Sequence, residues 1–128
     1  MKKILCILFL LITSSAQAYW TFQTANDEFS SYIDLSSIKK IGELVTYWSI
    51  SDYEKVVYLG ENKTYPYRSM KFFTEINCTN KTYKMLSADI FSERMGGGKV
   101  LMSADYSERT LYVPPDSIVN HDMDNFCK

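Results

Sequence analysis

Apolar and polar residues alternate with a period of two along most of the chain. In residues 69–78 one side of the run is mostly apolar and the other is mostly polar, which is typical of a half-buried β-strand. Comparable runs recur along the sequence, so the pattern predicts about six strands. The candidates are residues 20–24, 29–33, 44–50, 69–78, 82–91 and 99–106, with 110–113 as a short addition.

The connections between these candidates favour antiparallel pairing. The link 77–81 is short and polar, and the triple glycine 96–98 can adopt positive φ in a turn. Residues 61–66 predict a longer loop. No helical segment long enough for a parallel crossover separates the strands, so we expect a single antiparallel sheet.

The C-terminal segment changes period. Pro114-Pro115-Asp116-Ser117 is a helix-start signal, with proline near the first turn and a side chain able to cap it. A helix this short needs tertiary packing to be stable. We therefore predict an α+β fold in which a C-terminal helix packs on the sheet. The apolar positions at helical spacing are Val119, Met123, Phe126 and Cys127.

The N-terminus predicts export. Lys2 and Lys3 precede an apolar run, and a small-residue segment ends at Ala18. This order is typical of a secretory signal peptide, so we expect residues 1–18 to be removed and residues 19–128 to form one domain. Cys6 lies inside the apolar run and does not follow a small-residue triplet, so we do not expect lipidation.

Without the signal peptide two cysteines remain, Cys78 and Cys127. An even count in an exported chain favours a disulfide, which could tether the predicted helix to the sheet. The alternatives are two free thiols, or a metal-binding or catalytic cysteine. Zinc sites normally need clustered Cys and His residues at short spacings, and a catalytic thiol needs a histidine partner; His121 is the only histidine.

The charge balance of the chain disfavours one class of partner. The signal peptide holds two of the 14 basic residues and none of the 15 acidic ones, which leaves 12 against 15 and a net charge of −3. Nucleic-acid binding normally needs a positive patch, so it is disfavoured. The sequence also lacks a nucleophile elbow and a metal-ligand cluster. We therefore expect a protein that is not an enzyme and carries no cofactor or metal.

Tyrosine is abundant, with ten residues, and several lie outside the predicted inner faces of the strands. Tyrosine and arginine are favoured anchors of protein interfaces. We therefore predict a candidate partner surface around the loop at residue 63. The alternative is that these tyrosines pack against the outer face of the sheet. The candidate residues are Tyr58, Lys63, Tyr65, Tyr67 and Arg68.

Three segments of the sequence resemble the surface-adhesin protein E family of Gram-negative bacteria. They are YIDLSSIKKIGELVTYWSISDY (32–53), YRSMKFFTEINC (67–78) and YVPPDSIVNHDMDNFC (112–127). The resemblance implies an antiparallel sheet with a C-terminal helix held to it by a Cys78–Cys127 bridge. It also implies an exported protein that adheres to host extracellular-matrix or serum proteins.

Together these features predict a non-enzymatic binding protein of the bacterial envelope, located in the periplasm or at the cell surface. Two alternatives also act through protein contacts. One is a periplasmic structural or assembly factor, which could form a homodimer through a sheet edge. The other is an enzyme inhibitor.

Overall fold

The computed structural model describes residues 19–128, so the predicted signal peptide and Cys6 lie outside the described residues. The described part folds into seven strands, one α-helix and two short 3-10 turns. The strands are β1 (Trp20–Ala25), β2 (Phe29–Ile41), β3 (Leu44–Leu59), β4 (Tyr65–Asn77), β5 (Thr82–Phe91), β6 (Val100–Ala104) and β7 (Leu111–Tyr112). The helix is α1 (Ile118–Phe126), and the 3-10 turns are Glu61–Lys63 and Arg94–Gly96.

All seven strands belong to one antiparallel sheet, as the alternation and the short links predicted. Strands β1 to β6 lie side by side in chain order, and β7 pairs with the opposite end of β5 from β6. Each of the first six strands therefore pairs with its sequence neighbour. The predicted α+β architecture, a sheet of about six strands with a C-terminal helix, is confirmed.

Single residues determine the backbone conformation of two of the hairpin links. Gly42 takes φ 59 in the two-residue loop that joins β2 to β3, a conformation that glycine adopts without strain. In the β4–β5 link the side chain of Asn77 accepts hydrogen bonds from the backbone N–H groups of Thr79 and Asn80. This is a turn role that asparagine commonly takes.

Strand β2 is longer than the predicted 29–33 and continues to Ile41. The alternation breaks at residues 35–38, where four residues of β2 bulge opposite the single residue Tyr47 of β3. Two hydrogen bonds stabilise the bulge. The carboxylate of Asp34 accepts one from the N–H of Ser36, and the hydroxyl of Ser37 accepts one from the N–H of Trp48. The pairing of β2 with β3 therefore resumes after residues 35–38, where the sequence no longer alternates between apolar and polar residues.

Strand β6 is shorter than the predicted 99–106, because it ends at Ala104. The carboxylate of Asp105 accepts a hydrogen bond from the backbone N–H of Ser107, 2.7 Å away. This hydrogen bond favours a turn over continued pairing. Hydrogen bonds from the side chain and then the backbone of Ser107 hold the pKa of Asp105 below its usual value.

The β5–β6 link is a hairpin, as predicted, and Gly96 and Gly98 take positive φ in it. Its 3-10 turn folds back against the sheet and packs near Ile50. Arg94 forms an ion pair with the buried Asp52, and the same carboxylate accepts a hydrogen bond from the N–H of Met95. The hydroxyl of Ser69 on β4 also holds the link to the sheet, because it donates a hydrogen bond to the backbone carbonyl of Glu93.

The helix packs on the face of the sheet opposite this link. Its apolar side, with Val119, Met123 and Phe126, covers a buried cluster that contains Val45 and Ile76. Ser117 caps the N-terminus by accepting a hydrogen bond from the N–H of Asn120. The predicted helix position and its predicted apolar face are both confirmed.

A disulfide joins Cys78, directly after β4, to Cys127, directly after α1. The two Cα atoms are 5.6 Å apart, within the usual range for a disulfide. The bridge therefore holds the helix against the sheet, as predicted. Since both sulfur atoms are bonded, neither cysteine is a free thiol or a metal ligand.

Candidate functional site

The candidate partner surface lies at the tip of the β3–β4 hairpin. Between Asp52 and Val57, four residues of β3 bulge opposite the single residue Arg68 of β4. Beyond this bulge the two strands pair again up to Leu59 and Tyr65. The hairpin tip, defined here as residues 56–66, thus extends past the regular part of the sheet.

The hairpin tip exposes large apolar and aromatic side chains. Tyr58 is 49% exposed, and Val56 and Leu59 are also exposed. The ammonium group of Lys63 lies 5.0 Å from the centre of the Tyr58 ring, which is cation–π range. The structure therefore brings together Tyr58 and Lys63, two of the five predicted residues.

The other three predicted residues differ in exposure. Tyr65 is half-buried. Tyr67 is only 7% exposed and packs edge-on against Tyr53, with 5.5 Å between the ring centres. Burial, and then the neighbouring Tyr67, raise the pKa of Tyr53 to about 12. Tyr67 therefore supports the base of the hairpin and does not belong to the exposed surface.

Arg68 also has a supporting position. Its guanidinium donates a hydrogen bond to the backbone carbonyl of Glu54, across the bulge. Its Nε atom is buried and has no partner among the described residues. Arg68 thus ties down the bulged segment of β3, and of the predicted set Tyr58, Lys63 and Tyr65 are left accessible.

A second aromatic surface lies on the face of the sheet opposite the helix, and the sequence did not predict it. Trp48 of β3 and Phe73 of β4 are cross-strand partners and stack with 4.6 Å between ring centres. The ammonium group of Lys71 lies 4.6 Å from the Trp48 ring and 5.9 Å from the Trp20 ring. All four side chains are half-buried. The register that aligns them could not be read from each strand separately.

A buried network of hydrogen bonds connects the helix to the sheet. The hydroxyl of Tyr47 donates a hydrogen bond of 2.7 Å to the carboxylate of Asp122 on α1. Gln23 of β1 donates to the same carboxylate and accepts a hydrogen bond from Ser31. Burial raises the pKa of Asp122, and burial together with Asp122 raises the pKa of Tyr47 well above its ordinary value. The network satisfies polar groups that would otherwise be buried without partners.

No constellation typical of catalysis forms among the described residues. His121 is exposed and contacts the amide of Asn125 on the same helix. Within residues 19–128 no group of three or more His, Cys, Asp or Glu side chains is arranged to hold a metal ion. No helix in this range combines the length and apolar character that crossing a bilayer requires.

These features define a small sheet-plus-helix domain with one disulfide, one exposed aromatic surface and one half-buried aromatic surface. The family model for surface-adhesin protein E matches residues 20–128, so the chain belongs to that family. Membership indicates an adhesin-like bacterial surface protein and favours a protein that binds other proteins without catalysis. The expected family is therefore confirmed.

Solved structures from Haemophilus influenzae show the same fold. One structure of protein E is 20% identical, with a TM-score of 0.56, and the match covers 81% of this chain and 86% of the other. A crystal structure of protein E from non-typeable Haemophilus influenzae is 20% identical, with a TM-score of 0.57, and covers 83% and 74%. No curated protein sequence matches this chain significantly.

Proposed function

We propose that this chain is an exported, non-enzymatic adhesin of the bacterial envelope that binds host extracellular-matrix or serum proteins. The observation that carries the proposal is the hairpin tip, where Tyr58 is exposed beside Lys63 and Val56 and Leu59 are exposed as well. Exposed apolar and aromatic residues that form a patch commonly mark a protein-binding site. Family membership supports the same reading.

The geometry of the tip suits a binding surface. Tyrosine offers a large contact area with few rotatable bonds, and Lys63 adds a positive charge beside it. The bulge held by Arg68 and the buried Tyr67 beneath it support the hairpin. The tip is thus presented away from the helix, the disulfide and the buried network.

The experiment compares the exported protein with Tyr58→Ala for binding to immobilised basement-membrane extract and to whole serum. We expect the variant to bind at least about tenfold more weakly, which is the loss of roughly 1.4 kcal/mol that a buried tyrosine anchor provides. The matched control is Tyr112→Ala, because Tyr112 is 83% exposed but lies on β7, away from the hairpin tip. Equal binding by both variants would place the contact elsewhere.

A periplasmic structural or assembly role is the second candidate. The open edge of β1, which pairs with β2 on one side, favours it, because an unpaired strand edge can add a strand from another chain. Cell fractionation separates the two proposals. Protein found in the periplasm and absent from the surface would contradict host adhesion and support the envelope role.

A further inference from the structure

The face of the sheet that carries α1 is covered over only part of its length. The nine residues of α1 extend for about 13 Å, whereas the 13 residues of β4 extend for about 43 Å. The helix packs near Ile76, and alternate residues of β4 continue the same face through Phe72 to Met70. A groove of about 370 Å³ lies on this uncovered part.

The lining of the groove is almost entirely apolar. Met70 of β4, Met85 of β5 and Met102 of β6 contribute to it, which is half of the six methionines in the chain. Ala88 and Ala104 are cross-strand partners in its floor, and their small side chains leave the space open. Methionine adapts its shape to different apolar ligands, so this lining suits a flexible alkyl chain.

A single charge marks one part of the groove. Arg109, in the segment between β6 and β7, lines it, and no acidic side chain does so among the described residues. The one ion pair in residues 19–128 joins Arg94 to Asp52, so Arg109 has no carboxylate partner there. An apolar groove with one unpaired guanidinium is complementary to an alkyl chain that ends in an anion.

We propose that this groove binds a free fatty acid, with the alkyl chain on the methionine-lined floor and the carboxylate at Arg109. The volume lies within the range of about 300–1,000 Å³ that is usual for small-molecule sites. A free fatty acid is favoured over a membrane lipid because residues 19–128 have a net charge of −3. Attraction to an anionic membrane surface normally needs a cluster of basic residues, and the groove offers one arginine.

The test is isothermal titration calorimetry of the protein, purified after export, with sodium decanoate and sodium dodecanoate below their micellar concentrations. We expect saturable binding to one site. Affinity should rise by up to about fourfold for each added methylene, which is the gain from burying one CH₂ group. Dodecanol, which has the same chain without a charge, should bind more weakly than dodecanoate.

Two variants locate the site. Ala104→Tyr fills the groove and should abolish dodecanoate binding, whereas Ser103→Tyr places the same side chain on the other face of β6 and should leave binding unchanged. Arg109→Gln should weaken dodecanoate binding about two- to fivefold, as expected for an exposed ion pair, and leave dodecanol binding unchanged. If Ala104→Tyr does not fold, Met102→Gln keeps a similar volume, adds a polar amide and should weaken both ligands.

Several results would overturn the proposal. Absence of saturable binding to dodecanoate, or equal binding of dodecanoate by Ala104→Tyr and the unchanged protein, would exclude the groove as the site. Binding to phosphatidylglycerol vesicles without binding to free dodecanoate would assign the surface to membranes. A stable dimer in analytical ultracentrifugation that dissociates in Ala104→Tyr would assign the groove to a second copy of the chain.

Discussion

Removal of the disulfide tests whether the bridge holds the helix to the sheet. The perturbation is the double substitution Cys78→Ala and Cys127→Ala, which removes the bridge without leaving a free thiol in residues 19–128. The bridge joins residues 49 positions apart. In the chain-entropy model, closing a loop of this length stabilises the folded state by roughly 4 kcal/mol.

The assay is urea unfolding followed by far-UV circular dichroism. With a denaturant slope of about 2 kcal/mol per molar urea, a loss of 4 kcal/mol lowers the midpoint by about 2 M. The unchanged protein in the presence of a reductant is the control, and it should shift by a similar amount. Intact mass with and without reduction checks that the bridge is present at the start.

The structure also predicts where the loss is greatest. α1 has nine residues, too few for a stable isolated helix, so its order depends on packing and on the bridge. Amide hydrogen exchange in Ile118–Phe126 should therefore increase more than exchange in β3 and β4. A midpoint shift below about 0.5 M, together with unchanged exchange in α1, would refute the tethering role.

Three further substitutions test the buried polar groups. Burial raises the pKa of Asp122, so the stability that its carboxyl group contributes is complete below the unfolded pKa near 3.8 and is lost as the pH rises through the folded pKa. Asp122→Asn should therefore gain stability relative to the unchanged protein between pH 4 and 7. A difference in the free energy of unfolding that stays constant over this range would contradict the prediction. Tyr47→Phe removes a donor to that carboxylate and should lower the free energy of unfolding by about 1–3 kcal/mol at pH 7, measured by urea unfolding. Ser69→Ala removes two hydrogen bonds to the β5–β6 link and should lower the free energy of unfolding by a similar amount. The control Ser103→Ala, at an exposed position, should lower it by less than about 0.5 kcal/mol. Equal stability of these two serine variants would mean that the link does not depend on Ser69.

The secondary structure was largely predictable because its signals are local. Alternation in residues 69–78 follows from the pleat of a strand, and the helix start at Ser117 follows from its capping chemistry. The predicted ends of β2 and β6 failed where a side chain redirected the backbone. The turn at Asp105 ends β6 before the predicted residue 106. The bulge at residues 35–38 interrupts the alternation of β2, so the sequence did not predict that this strand continues.

The candidate surface was predictable only in part. The sequence located a cluster of tyrosines, but their burial depends on which residues the bulge between Asp52 and Val57 brings opposite each other. Tyr67 consequently packs inside while Tyr58 is exposed. The stack of Trp48 on Phe73 was missed for a related reason, since strand register depends on contacts between segments that are far apart in sequence.

The sequence by itself determined the approximate positions of the strands and of the terminal helix, the even pair of cysteines after Cys6 and the family. These depend on residue type and on spacing within one segment. Only the tertiary structure decided that Asp122 meets Tyr47, that Asp52 anchors the β5–β6 link and that part of the sheet face beside α1 is left open. Each of these depends on strand register and on the length of the helix relative to the sheet. Those quantities are set by packing between distant segments, which no local pattern specifies.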